Sequence, residues 1–469
     1  MSKLKKLSKQ PVKSINDFLT KRLPLSDSSK IIINTRLSRF EKNRMLNPDE
    51  PTIYVIGFST WKQYIRKYFK DYKLVFIDKN ISQQYFDKKY KWDVLTNKDC
   101  QFFIWGYKAP EFIFEFTKLH DIKTYLIEDG FIRSVGLGAT KEPPLSLCLD
   151  SQAAYFDSRR STDLEDLLNT YNCTKDEVTR ASQVIKEIIS NKISKYNHSK
   201  HIDVNTIYGT KKSKRVLVIG QVEDDASIKY GCSTSVTNND LVRLAVAENP
   251  DAQVFYKVHP DVLNGYRDYL TSPDAVKDIC HIINVDIPLA DALETINHVY
   301  TVTSLSGIES LIRGIKVTTV GAPFYSGWGL TDDRQPVSRR SRNRTLEELI
   351  VISYLVYPKY FDSYSGEIVS IEDVIKNIVL SKEETDNELL LTDKVDNDKY
   401  IRSGFYKHYR GDLYQVLYVA RSPIKEEKMI VYRRLSGDCE VLINPISMFT
   451  EMVTIEDSQI LKFELIKAI

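Results

Sequence analysis

Cysteine is scarce and scattered. The six in 469 residues (Cys100, Cys148, Cys173, Cys232, Cys280 and Cys439) never form a CxxC pair. That argues against a zinc site and a disulfide framework, and it suits a reducing compartment. Long hydrophobic runs are also missing: no eighteen consecutive apolar residues occur, so no segment reads as a membrane span. Lys3, Lys5 and Lys6 are not followed by an apolar segment, so no signal peptide is expected. An excess of one charge is lacking as well. Lys and Arg number 66 against 63 Asp and Glu, a net +3 that gives no case for nucleic acid as a partner. The expected address is the cytoplasm.

What is present is enough chain for two or three domains. Residues 1–51 form a basic arm in which twelve Lys and Arg stand against Asp17, Asp27 and Glu41, with Asp49 and Glu50 at its end. One reading is a solvated tail. The other is a peripheral contact with an anionic inner-membrane surface, worth about 1 kcal/mol per basic residue held close to it. From residue 52 to 206, apolar strand-like runs alternate with helical periods, the pattern of a doubly wound parallel sheet. The segment 190–214 is polar and lysine-rich without an apolar period. Residues 214–380 repeat the α/β alternation. Residues 381–402 are charged and read as a linker, and 403–469 read as a small β-domain. The fold class expected is α/β: two Rossmann-like domains facing across a cleft in a GT-B-like arrangement, followed by the β-domain.

The chain is organised around the stretch 215–231. An apolar run, Arg215-Val-Leu-Val-Ile, breaks at Gly220 into a loop carrying Gln221, Glu223, Asp224 and Asp225. Open α/β sheets bind ligands at the carboxyl ends of their strands, so acids placed there are well sited for chemistry. Three other strand ends supply polar groups: Glu128 and Asp129, Lys257 and His259, and the turn Ser304, Ser306 and Glu309. Together they suit an anionic nucleotide sugar. Ser304 and Ser306 precede a helix whose free N–H groups attract phosphate. Lys257 and His259 add contacts to that phosphate, and Glu309 can hold ribose hydroxyls. Each also has a plain structural reading: Ser304 and Ser306 as helix caps, His259 as a loop histidine held by local hydrogen bonds, and the acids as a solvated turn.

Six motifs in order carry a resemblance. They are Glu128-Asp129-Gly130-Phe-Ile-Arg133-Ser, Pro143-Pro-Leu-Ser-Leu, Gln221-Val-Glu-Asp-Asp225, Lys257-Val-His259-Pro260-Asp261, Thr303-Ser304-Leu-Ser306-Gly307-Ile-Glu309 and Pro323-Phe-Tyr325-Ser-Gly-Trp328-Gly. From about residue 53 to 358 the chain resembles the capsule polysaccharide β-Kdo transferases of Gram-negative bacteria. The Asp-Gly and His-Pro motifs are also similar to those of bacterial sialyltransferases. The resemblance implies a GT-B fold, a CMP-activated ulosonic acid as donor, a glycan or glycolipid acceptor and retention of configuration. It places Asp225 as the nucleophile and Glu128 or Asp129 as the base. Gln221, Lys257, His259, Ser304, Ser306 and Glu309 fall on the donor side. Arg133 either pairs with the donor carboxylate or forms a salt bridge. No cofactor and no metal are expected, the CMP-sugar being a substrate. The transferred sugar is Kdo or a nonulosonic acid such as pseudaminic acid. Residues 404–411 and 445–449 are similar to a small bacterial domain of unknown function.

Two other readings stay open. One is an inverting, sialyltransferase-like enzyme. The other is a non-catalytic glycan-assembly scaffold, suggested by the arm and the β-domain.

Overall fold

The structure, a computed structural model, describes residues 50–135, 142–197, 202–393, 404–421, 428–435, 441–449, 451–455 and 458–468. The basic arm up to residue 49, the glycines Gly136 and Gly138, and positions 394–402 of the expected linker lie outside the described residues. The chain divides after Glu383 into two compact units.

The first unit holds two sheets. One is built from β1 (Thr52–Ile56), β2 (Lys73–Ile77), β3 (Cys100–Trp105), β4 (Lys123–Asp129) and β5 (Ser146–Asp150). Its second sheet comprises β6 (Arg215–Ile219), β7 (Gln253–Lys257), β8 (His281–Ile283), β9 (His298–Thr301), β10 (Lys316–Thr319) and β11 (Asp332–Asp333). β1 and β6 are buried at every position, as central parallel strands covered on both faces must be. The second sheet runs β11-β10-β9-β6-β7-β8 with every pairing parallel. In local numbering that is the 6-5-4-1-2-3 Rossmann order, whose switch point falls between β6 and β9. The first sheet runs β2-β1-β3-β4 in parallel, and β5 joins antiparallel.

Two features depart from the expected division. β12 (Lys359–Phe361) pairs with β5, and β13 (Ile368–Val369) pairs with β12, so a segment assigned to the 214–380 domain extends the first sheet. Phe361 fastens it there, stacked on Tyr68 at 4.3 Å. The helix Ile371–Asp393 runs through the first part of the expected linker. It contains no Gly or Pro and is rich in Glu, Lys and Leu, so nothing in its backbone chemistry stops it where its apolar period fades. The two sheets share a core: Phe131, after β4, stacks on Phe324, after β10, at 4.7 Å.

The second unit is a five-stranded sheet, β17-β16-β15-β14-β20, with a two-stranded hairpin. Its strands are β14 (Gly404–His408), β15 (Leu413–Arg421), β16 (Lys428–Arg434), β17 (Val441–Pro445) and β20 (Phe463–Ala468), and the hairpin is β18 (Met452–Ile455) with β19 (Ser458–Leu461). Tyr406, Val416, Ile430, Tyr432 and Phe449 form its core.

Candidate active site

A cavity of about 720 Å³ opens between the carboxyl ends of the two parallel sheets. Trp105, Gly106, Lys108 and Glu128 line it from the first. Gln221, Asp225, Lys257, His259, Ser304, Ser306 and Glu309 line it from the second. Eight of the ten expected site residues therefore meet in one cleft, at the switch point where such sheets bind ligands.

The structure sorts the acids of the 221–225 loop. Glu223 accepts from Asn238 N–H at 2.6 Å, Thr271 N–H at 2.8 Å and the Thr271 hydroxyl at 2.6 Å. Asp224 pairs with Arg267 at 2.5 Å. Asp225 is exposed in the cleft. Its Oδ1 accepts from Ser227 N–H at 2.8 Å and caps the helix Ala226–Gly231. Among the described residues its Oδ2 has no hydrogen-bond partner. Of the three acids, Glu223 is spent on backbone and hydroxyl donors, Asp224 is held by Arg267 through Oδ1, and Asp225 carries no ion pair among the described residues. Gln221 lines the cavity and also ties its walls together. Its side chain accepts from Thr303 N–H at 2.8 Å and donates to the Thr303 hydroxyl at 3.1 Å. It thereby latches the two strand ends that flank the switch point.

Adjacent residues on a strand point to opposite faces, and that separates Glu128 from Asp129. Glu128 faces the cleft, its Oε1 so near Gly106 that a Cβ there would lie 2.6 Å away. Gly106 also has φ +51°, so both its backbone and its missing side chain are required. Burial pushes the Glu128 carboxyl up to about 7, with the neighbouring Asp129 charge adding to the effect. Asp129 turns away from the cavity. Its Oδ2 accepts from Arg133 Nε at 2.9 Å. Arg133 is fully enclosed and also donates to Ser134 Oγ and the Glu142 carbonyl. Neither residue lines the cavity. The expectation that Arg133 meets a donor carboxylate, and that Asp129 competes as base, is corrected by this internal pair: each is the other's counter-ion.

His259 caps the short helix Pro260–Leu263, its Nδ1 accepting from Asp261 N–H at 3.1 Å. With Nδ1 an acceptor, the neutral ring carries its proton on Nε2 and keeps that donor for a ligand. Burial lowers its pKa against the opposing pull of Asp261. Lys257 is buried at the end of β7, and burial lowers its pKa while Asp286 resists the shift. Ser304 Oγ accepts from Ser306 N–H at 3.2 Å and lies 3.1 Å from Ser306 Oγ. The capping and cleft-lining readings of this turn thus both hold. The helix begins at Ser306 itself, so only Ser304 precedes it. Gly307 lets it: a Cβ there would collide with the Tyr325 hydroxyl, which donates to the Ser304 carbonyl. Glu309 is buried at the cavity wall. Its Oε1 accepts from Lys195 N–H at 3.1 Å, and among the described residues its Oε2 has no hydrogen-bond partner. Burial pushes its carboxyl up to about 7.

Several cavity residues carry no local sequence signal. Ser194, Lys195 and Tyr196 come from the polar segment at 190–214, which has no periodicity to mark it. Tyr155 and Phe156 come from a turn after β5. Lys62, buried with its ammonium over the Trp105 ring, sits behind the cleft wall, and burial lowers its pKa to about 7. A lysine that opens a short helical turn looks solvated in sequence, and only the packed fold encloses it.

A Rossmann-ordered sheet presenting hydroxyls, a lysine and a histidine, set against a second α/β sheet with a buried carboxylate, defines a two-sheet ligand-binding α/β protein. The chain belongs to the capsule polysaccharide biosynthesis protein family, which it matches over residues 101–361. It is 40% identical over 348 residues to the lipopolysaccharide-processing protein LpsZ of Rhizobium meliloti, covering 72% of this chain and 77% of that protein. It is 35% identical over 334 residues to the capsule polysaccharide modification protein LipA of Neisseria meningitidis, covering 70% of this chain but 46% of LipA. Among solved structures, it is similar to the β-Kdo 2,4 transferase of Thermosulfurimonas dismutans KpsC. The TM-score is 0.60 at 32% identity, covering 69% of this chain and 97% of that one. The β-Kdo 2,7 transferase of the same KpsC gives 0.54 at 29% identity, covering 71% and 99%. Residues 404–465 match a family of proteins of unknown function, DUF1653.

Proposed function

We propose that this chain is a glycosyltransferase of capsule or surface-polysaccharide synthesis that moves a 2-keto-3-deoxy-ulosonic acid, Kdo or a nonulosonic acid, from its CMP donor to a glycan or glycolipid with retention. The observation that carries the reading is the meeting of Asp225 and Glu128, from opposite sheets, in one cavity with Lys257, His259, Ser304 and Ser306. In the first displacement the open oxygen of Asp225 attacks C2 of the donor sugar. The C2–O bond to the phosphate breaks, and its electron pair leaves on CMP. Lys257 and the Nε2–H of His259 meet the charge growing on that phosphate, and the unpartnered Oε2 of Glu309 accepts a ribose hydroxyl. In the second displacement Glu128 takes the proton of the acceptor hydroxyl. That oxygen attacks C2, and the Asp225 carboxylate departs. The positive charge at the phosphate comes from the chain itself, and no metal is assigned a role. Attachment of the basic arm to an anionic membrane belongs to the same proposal.

The test is incubation with CMP-Kdo and CMP-nonulosonates, followed by mass spectrometry of the protein and determination of the product's anomeric configuration. The expected result is a sugar adduct on the peptide holding Asp225 and a product that keeps the donor's configuration. An inverted product with no adduct removes the double displacement. No turnover of any CMP-ulosonate removes the donor class.

A further inference from the structure

A CMP-ulosonate brings two anions to the cavity. One is the phosphate. The other is the C1 carboxylate, bonded directly to C2, so it must lie at the reaction centre between nucleophile and base. With Arg133 committed to Asp129, the second anion needs another cation. Lys257 and His259 sit together at the end of β7 on the phosphate side, and Lys257 faces Asp286. Arg267 is paired with Asp224 at the exposed rim. Lys108 is exposed at the mouth.

Lys195 differs from all of these. Its backbone is fixed from both sheets: its N–H donates to Glu309 Oε1 at 3.1 Å, and its carbonyl accepts from Arg133 N–H at 3.1 Å. Its half-buried side chain lines the cavity beside Tyr196, whose ring centroid is 5.7 Å from the ammonium. Among the described residues no carboxylate lies within ion-pair distance of that ammonium. Its charge nevertheless reaches Glu128 on one sheet and His259 on the other. Burial disfavours the ammonium, but Tyr196, Asp129 and Glu128 outweigh burial and hold its pKa above the usual lysine value. A cation therefore lines the cavity that holds Glu128 and His259, with no carboxylate of the described residues hydrogen-bonded to it.

We infer that the Lys195 ammonium binds the carboxylate of the transferred 2-ulosonate and so holds C2 between Asp225 and Glu128. The inference rests on the donor class proposed above. The experiment is calorimetric binding of CMP, CMP-Kdo and a CMP-Kdo analogue with a C1 carboxamide to the full chain and to Lys195→Met and Lys195→Arg. A lost charge-assisted hydrogen bond predicts a fall in CMP-Kdo affinity of about 10- to 100-fold in Lys195→Met, with CMP affinity unchanged and discrimination between carboxylate and carboxamide abolished. Lys195→Arg restores part of that discrimination. Wild-type affinity for CMP-Kdo in Lys195→Met overturns the assignment. So does an equal loss for CMP and CMP-Kdo accompanied by a lowered melting temperature, which marks a merely structural lysine. If the wild-type chain binds CMP but no CMP-ulosonate, the donor class fails first, and the assignment falls with it.

Discussion

Glu128 and Asp129 are neighbours on one strand, yet they live on opposite sides of a sheet: one carboxylate faces the cavity, the other is held 2.9 Å from Arg133 Nε behind it. Backbone pleating alone divides them into one group for chemistry and one for structure.

The pH dependence of transfer follows from that division. A base must be unprotonated to act, and burial lifts the Glu128 carboxyl to about 7. Donor-saturated transfer therefore rises with pH through a midpoint near 7. Glu128→Gln loses about 10²- to 10⁴-fold in kcat, and the acid limb disappears with it. A pH–rate profile of both proteins checks this.

The proposed mechanism gives Asp225 two tasks that a pair of variants separates. Asp225→Asn keeps an oxygen for the Ser227 N–H cap and removes the nucleophile. It is expected to fold with wild-type stability and lose at least about 10³-fold in kcat. Asp225→Ala loses the same activity and, in addition, about 1 kcal/mol of stability. Thermal melts beside transfer assays distinguish them.

Breaking the buried pair behind β4 tests the correction to Arg133. Arg133→Met leaves the partly buried Asp129 without its counter-ion, a loss of about 2–4 kcal/mol in denaturant unfolding, discounted from the fully buried case for its partial exposure. The double variant Arg133→Met/Asp129→Leu recovers most of that stability, and any soluble fraction keeps wild-type KM for the donor. A raised KM in the double variant would return Arg133 to the donor site.

Glu309 gives a stability signature with a definite sign. Its folded pKa, about 7, lies above the ordinary 4.5 of an unfolded chain. The folded state therefore binds the proton more tightly. The stabilisation from this proton is fully present below pH 4.5 and is lost as pH rises through 7, on the order of 3 kcal/mol in all. Glu309→Gln is expected to flatten the fall in melting temperature between pH 4.5 and 7. Glu128 contributes with the same sign, so part of the slope persists.

Gly307→Ala should be felt at the serine turn. The new methyl meets the Tyr325 hydroxyl, which holds the Ser304 carbonyl. Overpacking of this kind costs about 1–3 kcal/mol. Because the displaced turn lines the cavity, weaker CMP binding by calorimetry is expected to accompany the loss.

The sequence by itself determined the parallel strands, because runs such as Thr52–Ile56 and Arg215–Ile219 are buried on both faces and must read as uninterrupted apolar stretches. It also determined where chemistry gathers, since the polar groups of 221–225, 257–259 and 304–309 stand at the carboxyl ends of those strands. Tertiary structure decided the rest. β5 and β12 are short and antiparallel, and they exist only because each completes the other beside β4. Three acids in a row look alike on paper, and partners far along the chain hold them differently: Thr271 binds Glu223, Arg267 pairs with Asp224 through Oδ1, and Asp225 has no ion pair among the described residues. Arg133 could face a ligand or a neighbour, and its ion pair with Asp129 settles which. Lys195 lies in a stretch with no period at all, and becomes a cleft residue because hydrogen bonds from two sheets fix its backbone. Local pattern encodes which segments must be buried, whereas the fate of a charged side chain depends on partners that only the folded chain brings within reach.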